Sequence, residues 1–325
     1  MSRTSMRSRL TCALIVSAAA LFVAAPAANA TSASNYLALG DSLAYGYQAA
    51  KFQAQYPNID PASFNTGYVN VFAKLQLKPN LNTVNLGCPG ETSNSLVKGG
   101  RSAVYTGGQY VPNPYICGDS PSAGIGAVFN KQWLHHYYAG SQLDEAVAFL
   151  HANPTTTKTV SIDIGANDVL VFLEGCGFGT ATPDNACIAN GLGATYGNAA
   201  NNLNTILTKL QAEAPNAKYV VAGLYNPYPG VLNVGGLTGD SATKQFNGLL
   251  KQVATAHGAK FANPLPVFNP SSNITGASEA LDIPVICKLT AMCPGGTFNP
   301  ASGDIHPTDL GYGILGGLVW AAWLQ

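Results

Sequence analysis

Apolar and polar positions along this chain alternate between two periods. Short apolar or alternating runs that read as strands occur at 35–40, 81–86, 158–164 and 218–224, with a shorter one near 260–263. Helical spacing fills the intervals at about 67–77, 141–152, 190–213 and 241–257. In 141–152, Leu143, Val147 and Leu150 share a face, Ser141 stands at the cap position and Pro154 lies just beyond. In 190–213, Leu203, Ile206, Leu207 and Leu210 share a face, and the pattern stops before Pro215. The final apolar segment, 308–324, is interrupted by Gly311, Gly313, Gly316 and Gly317, so it reads as a closing helix packed on the sheet rather than a membrane span. Strands alternating with helices predict an α/β fold with a central parallel sheet covered on both faces. The stretches 88–138 and 170–190 read as long loops inserted after strands. Ligands in such sheets bind beyond the carboxyl ends of the strands, so these loops are expected to shape a site.

The first thirty residues stand apart from this pattern. Arg3, Arg7 and Arg9 precede an apolar stretch over 10–25, Pro26 ends it, and Ala28-Asn29-Ala30 is a small-x-small cleavage site. Residues 1–30 therefore read as a signal peptide, and the sequence around Cys12 does not resemble a lipid-attachment site. Residues 31–325, without repeats or low-complexity linkers, are expected to form a single domain. They carry 13 basic and 16 acidic residues, a net charge near −3, with no basic stripe. Nucleic acid is thereby disfavoured as a partner. The expectation is a protein secreted to the extracellular space, monomeric and without stable membrane insertion.

Six cysteines remain after the leader, and an even number in an exported chain favours disulfides. They fall into three sequence-neighbour pairs, which predicts Cys88–Cys117, Cys176–Cys187 and Cys287–Cys293 as loop staples. No Cys-x-x-Cys pair exists and the paired histidines His135 and His136 stand apart from the cysteines, so no metal is expected.

Four segments carry candidate chemistry. Residues 36–47 end an apolar run in Gly40-Asp41-Ser42, a strand breaking into a turn that presents one hydroxyl. The tripeptide recurs at 118–120, in a proline-rich loop, and at 239–241, where Asp240 and Ser241 read as helix caps. Only Ser42 follows a strand. The second segment, 85–92, places Gly90 after a strand, where its N–H is unscreened. The third, Ile164-Gly165-Ala166-Asn167-Asp168, offers the Asn167 amide. The fourth is Asp304-Ile305-His306-Pro307. Together they supply a nucleophile, a base and three donors (the Ser42 and Gly90 N–H groups and the Asn167 amide), the set that acyl transfer needs.

Gly-Asp-Ser-Leu near the mature N-terminus, Gly90, Gly-x-Asn-Asp at 165–168 and His306-Pro307 resemble, in order, the four blocks of the SGNH or GDSL hydrolase family. The resemblance spans 40–307. It implies a three-layer α/β/α sandwich and a secreted esterase or lipase without cofactor, with Ser42 as nucleophile, His306 as base, and Ser42, Gly90 and Asn167 forming the oxyanion hole. The Gly-x-Ser-x-Gly signature of other serine hydrolases does not surround Ser42. One departure stands out. The family usually has an acid three residues before the histidine, but Gly303 occupies that position. Either the Asp304 side chain or a backbone carbonyl is then expected to orient His306.

The remaining polar residues have plainer readings. Asp168 is expected to hold its loop, and Asp163, between two isoleucines, to bond neighbouring backbone. His135, His136, His151 and His257 read as solvated. Tyr105, Tyr110, Tyr115, Trp133, Tyr137 and Tyr138 suit either an acyl or sugar site or packing for a disulfide-bound loop. The expected activity is carboxylic-ester hydrolysis through an acyl-enzyme, on a small-molecule or lipid ester. The alternatives are polysaccharide deacetylation or phospholipid cleavage at the same site, or a non-catalytic surface or carbohydrate-binding role.

Overall fold

Five short runs form the strands β1 (Ser34–Gly40), β2 (Leu81–Asn85), β3 (Thr157–Asp163), β4 (Lys218–Ala222) and β5 (Lys260–Ala262), with β-branched residues in β2, β3 and β4. The computed structural model describes residues 33–99, 103–106, 109–112, 117 and 129–325, with 103–106 and 109–112 described as backbone. The expected signal segment and the Gly-Asp-Ser at 118–120 lie outside the described residues. The strands pair in parallel in the order β2-β1-β3-β4-β5. Strand order reverses between β1 and β3, so a crevice opens beyond the carboxyl ends of those two strands.

The helices that cover the sheet and carry the site are α1 (Ser42–Tyr45), α2 (Tyr68–Leu75), α3 (Ser93–Lys98), α4 (Gln142–Ala152), α5 (Ala166–Gly175), α6 (Asn185–Glu213), α7 (Gly239–Ala256) and α8 (Asp309–Trp323). Side chains alternate across β1, which buries both faces of the sheet. Tyr36 and Ala38 meet Tyr68, Val69 and Phe72 of α2 and Tyr312, Leu315 and Val319 of α8. Leu37 and Leu39 meet Leu143 of α4, Leu203 and Ile206 of α6, and Phe246 and Leu250 of α7. The result is a three-layer α/β/α sandwich with the parallel sheet in the middle. No helix among the described residues is long and apolar enough to cross a membrane.

The disulfides are Cys88–Cys117, Cys176–Cys187 and Cys287–Cys293, with Cα separations of 5.8, 5.7 and 5.1 Å. Each closes a local loop.

Three expectations need correction. Residues 170–190 are largely helical: α5 runs to Gly175, and α6 begins at Asn185, capped by the Asp184 carboxylate on the Cys187 N–H. The run Val169 to Leu173 is apolar throughout and offers no period to count, and Gly175, Gly177 and Gly179 follow it directly. Burial of Leu173, with Val169 and Phe172 packed on the same core, makes it a helix. Residues 88–138 likewise contain α3, a hairpin of Ala103–Thr106 with Gln109–Pro112, and a 3₁₀ turn at Lys131–Trp133. The cap of α7 is Thr238 rather than Asp240 or Ser241. Its hydroxyl accepts the Ser241 N–H while the Ser241 hydroxyl accepts the Thr238 N–H, a capping box that starts the helix earlier.

Amide side chains finish two strands where neighbouring backbone runs out. The Gly40 N–H donates to Gln142 Oε1 at 2.6 Å, and Gln142 Nε2 donates to the Gly40 carbonyl at 3.0 Å. Asn247 does the same for Leu224, at 2.8 and 2.7 Å. These pairs help satisfy buried backbone groups at the edge where the site forms, the Gly40 carbonyl also accepting the Cys88 N–H at 3.1 Å.

Gly40 itself has φ +147°, and a Cβ there would overlap the carboxyl and carbonyl oxygens of Asp163. Gly40→Ala combines overpacking with backbone strain and is expected to cost about 3 kcal/mol or more of stability, read as a lowered urea midpoint. An unchanged midpoint would mean that the turn relaxes.

Candidate active site

The turn after β1 sets Ser42. Asp41 caps α1, its Oδ1 accepting the Leu43 N–H at 2.9 Å, and Gly46 closes this single turn in the left-handed region at φ +84°. Ser42 is thus the first residue of a turn held at both ends. Its Oγ donates to Asp41 Oδ1 at 3.5 Å.

His306 comes from the opposite side, on a short strand, Asp304–Pro307, paired antiparallel with Thr290–Ala291. Alternate residues of a strand share a face, so Asp304 and His306 point the same way. Asp304 Oδ1 meets His306 Nδ1 at 2.5 Å and accepts the His306 N–H at 3.1 Å, while Asp304 Oδ2 accepts the Ala49 N–H at 2.8 Å. The Asp304 carboxylate, and not a backbone carbonyl, holds the imidazole. The departure at Gly303 has a steric cause: a Cβ there would lie 2.5 Å from the Met292 carbonyl and 2.6 Å from that of Asn299. No acid can stand three residues before the histidine, and the i, i+2 spacing on a strand replaces it. Burial alone would raise the Asp304 pKa. The positive charge of His306 and the hydrogen bonds from His306 and Ala49 outweigh burial and hold the carboxyl below its ordinary value. Tyr47 packs edge-on against the imidazole at 4.7 Å, and the Tyr225 hydroxyl donates to the Ile305 carbonyl at 2.5 Å.

Gly90 sits in the turn after β2 at φ +85°. Asn167 lies in the first turn of α5, just after Gly165, whose φ is +112°. Asn167 Nδ2 donates to the Glu91 carbonyl at 2.9 Å and to Asp41 Oδ2 at 3.3 Å. Asp168 is tied to α3, accepting the Ser93 N–H at 2.7 Å and the Ser93 hydroxyl at 2.6 Å. It holds the loop, as expected.

Ser42, Gly90, Asn167, Asp304 and His306 all line one cavity of about 420 Å³. Its lining includes the apolar side chains of Leu170, Leu173, Leu192, Leu224, Leu232 and Phe246. No hydrogen bond links Ser42 Oγ to the imidazole; the hydroxyl turns to Asp41 instead.

Other candidates resolve away from the cavity. Trp133 packs against Phe52, Tyr56 and Phe129, and the buried Tyr138 hydroxyl donates to the Leu86 carbonyl, so both serve packing. Tyr137 is exposed. The Tyr105, Tyr110 and Tyr115 side chains lie outside the described residues. Of the four other histidines only His151 is largely solvated, beside Glu213. His135 is packed on Tyr45, bonds its carbonyl at 2.9 Å, and has its pKa lowered mainly by burial. His136 pairs with Glu145, and His257 with Gln211 and Asn204. The aromatic core formed around Tyr45 draws His135 inward, which local sequence could not reveal.

Several supporting residues carried no sequence signal. Gln142 and Tyr225 reach the site from 102 and 80 residues away from their partners. Asp41, by contrast, lies inside the motif, and its cap role was open to a reading of helix starts.

The sequence model of the GDSL-like lipase/acylhydrolase family matches residues 116–314, more than half of the chain. This protein belongs to the GDSL-like lipase/acylhydrolase family. The matched region of this GDSL-family chain contains Asn167, Asp304 and His306 and starts after Ser42 and Gly90. Among solved structures, an extracellular lipase of Streptomyces rimosus is similar at 20% identity and a TM-score of 0.51, covering 89% of this chain and 100% of that one. Phospholipase A1 of Streptomyces albidoflavus NA297 has 18% identity and a TM-score of 0.49, covering 89% and 99%. An acetylxylan esterase of Geobacillus stearothermophilus has 14% identity and a TM-score of 0.46, covering 89% and 94%. At these identities the likeness concerns the fold. No curated protein sequence matches the chain.

Proposed function

We propose that this protein is a secreted serine esterase/lipase that cleaves carboxylic esters through an acyl-enzyme on Ser42. The observation that carries the reading is the Asp304–His306 pair facing the same cavity as the Ser42 turn. His306 takes the Ser42 proton as Oγ attacks the ester carbonyl, and Asp304 keeps the imidazole in the tautomer that leaves Nε2 free to accept it. Ser42 Oγ leaves Asp41 for the imidazole when substrate enters, in line with catalytic hydrogen bonds that tighten only in the Michaelis complex. The oxyanion rests on the Ser42 and Gly90 N–H groups and on Asn167. The Asn167 proton that turns to it is the one spent on the longer bond, to Asp41. His306 then protonates the leaving alcohol, and water reverses the steps. The leader pattern of residues 1–30 and the three disulfides support export.

The apolar part of the lining favours an acyl chain longer than acetyl over glycan deacetylation. Leu170→Trp fills part of that apolar lining from α5. It is expected to lower the ratio of kcat/KM for an octanoyl over an acetyl p-nitrophenyl ester about tenfold. An unchanged ratio would place the acyl group elsewhere. The reading as a whole is tested by a fluorophosphonate probe followed by peptide mapping. Covalent adduct on Ser42 is expected, and a folded protein that takes no label is a binding protein instead.

A further inference from the structure

Asp163 is a buried acid beside the site with no part in the reaction above. It ends β3 with its Cα opposite Gly40 of β1. The space where Gly40 lacks a side chain is filled by its carboxyl, which therefore lies under the Gly40–Asp41 peptide that leads into Ser42. The Tyr68 hydroxyl of α2 donates to Oδ1 at 2.7 Å, and the Asp41 N–H donates to Oδ2 at 3.4 Å. Asp41 is buried as well, and its carboxylate collects the Leu43 N–H, the Ser42 hydroxyl and the Asn167 amide. The Asp163 carboxyl thus lies against the backbone of Asp41 itself, within electrostatic reach of the Asp41 carboxylate.

Two negative charges this close cannot both be held in a dry interior. The groups that face the pair are Tyr36 from β1, Tyr68 from α2, Tyr312 from α8, Tyr225 from the segment after β4, Asp168 from α5, and His306. The four phenols are neutral, each pushed up by burial, and Asp168 adds negative charge. Of these, only His306 can carry positive charge, and its proton comes and goes in the reaction. Burial first, and then the charge of Asp41, push the Asp163 carboxyl well up, so the proton resides there. Burial raises the Asp41 carboxyl as well, but its three further donors favour the ionised form, so it is the better place for the charge.

We propose that Asp163 is a positioning residue: in its neutral form it donates to the Asp41 carboxylate from beneath the turn and so fixes the group to which Ser42 and Asn167 are tied. The inference rests on the roles given above to Ser42 and Asn167. A misplacement of about 1 Å at a reacting group can cost on the order of 100-fold in rate, so a group that only sets Asp41 can weigh heavily on kcat.

The test compares wild type, Asp163→Asn, Asp163→Leu and Ser42→Ala on a p-nitrophenyl ester between pH 6 and 9, with thermal melts of each. Asparagine matches the neutral acid in shape and still donates, whereas leucine fills the volume without a donor. Asp163→Asn is expected to keep kcat within about 3-fold of wild type with the same pH profile. Asp163→Leu is expected to lose about 10- to 100-fold in kcat with KM moved less than about 3-fold. The infrared difference spectrum of wild type minus Asp163→Asn at pH 8 is expected to show the carbonyl stretch of a protonated acid, a readout that survives even if Asp163→Leu does not fold. A folded Asp163→Asn that is as slow as Asp163→Leu, a fully active Asp163→Leu, or a missing acid band overturns the proposal. An active Ser42→Ala overturns the catalytic reading instead, which keeps the two failures apart.

Discussion

Ser42→Ala is expected to lower kcat on a short-chain aryl ester by about 10⁴- to 10⁶-fold, and to abolish fluorophosphonate labelling, while the melting curve stays close to wild type. The magnitude follows from the division of labour in the site. Without the hydroxyl no acyl-enzyme forms, and only the donors and the cavity remain to assist attack by water. Those parts give a residual rate above the uncatalysed reaction in serine hydrolases of this kind. Stability should barely change, because Ser42 Oγ makes a single long bond of 3.5 Å to Asp41 and the turn is capped by Asp41 and Gly46. A Ser42→Ala protein within tenfold of wild type would remove the nucleophile from this position.

Asp304→Ala is expected to cost about 10³- to 10⁴-fold in kcat, and Asp304→Asn about as much. Asparagine fits the space, but its amide favours the wrong imidazole tautomer. A loss below tenfold would hand the orienting role to a backbone carbonyl. The same substitution carries a stability signature with a definite sign. The Asp304 pKa is depressed in the folded protein, so its contribution is present above the unfolded value of about 3.9 and is lost as pH falls through the folded value. The melting-temperature gap between wild type and Asp304→Asn should therefore be widest near neutrality and close at the acid end. A gap that widened as pH fell would contradict the direction of the shift.

These expectations draw on two kinds of information. The strands were legible as short apolar runs, because a parallel sheet covered on both faces buries them nearly throughout, and most helices by their period of 3.6, with caps and prolines marking the ends. Helix α5 was not, since Val169 to Leu173 is apolar at every position. The four site blocks were legible because each follows a strand or precedes a helix in a pattern that needs particular residues, such as the positive φ of Gly90 and Gly165. Their supports were hidden. Gln142 pairs with Gly40, Tyr225 with Ile305 and Tyr68 with Asp163, across 102, 80 and 95 residues. An amide or a phenol carries no local mark of so distant a partner.

The case of His306 divides the two contributions most clearly. From the sequence alone came the order of the strands and most helices, the disulfide pairs, and the proposed nucleophile, base and donor set, because each depends on residues near in sequence or on composition. Only the tertiary structure decided that Asp304 holds the imidazole, that Gly303 cannot carry an acid, that Asn167 already spends its protons on Glu91 and Asp41, and that Asp163 lies beneath the Ser42 turn. Those outcomes depend on which groups share a small buried volume, and sequence neighbours do not determine that volume.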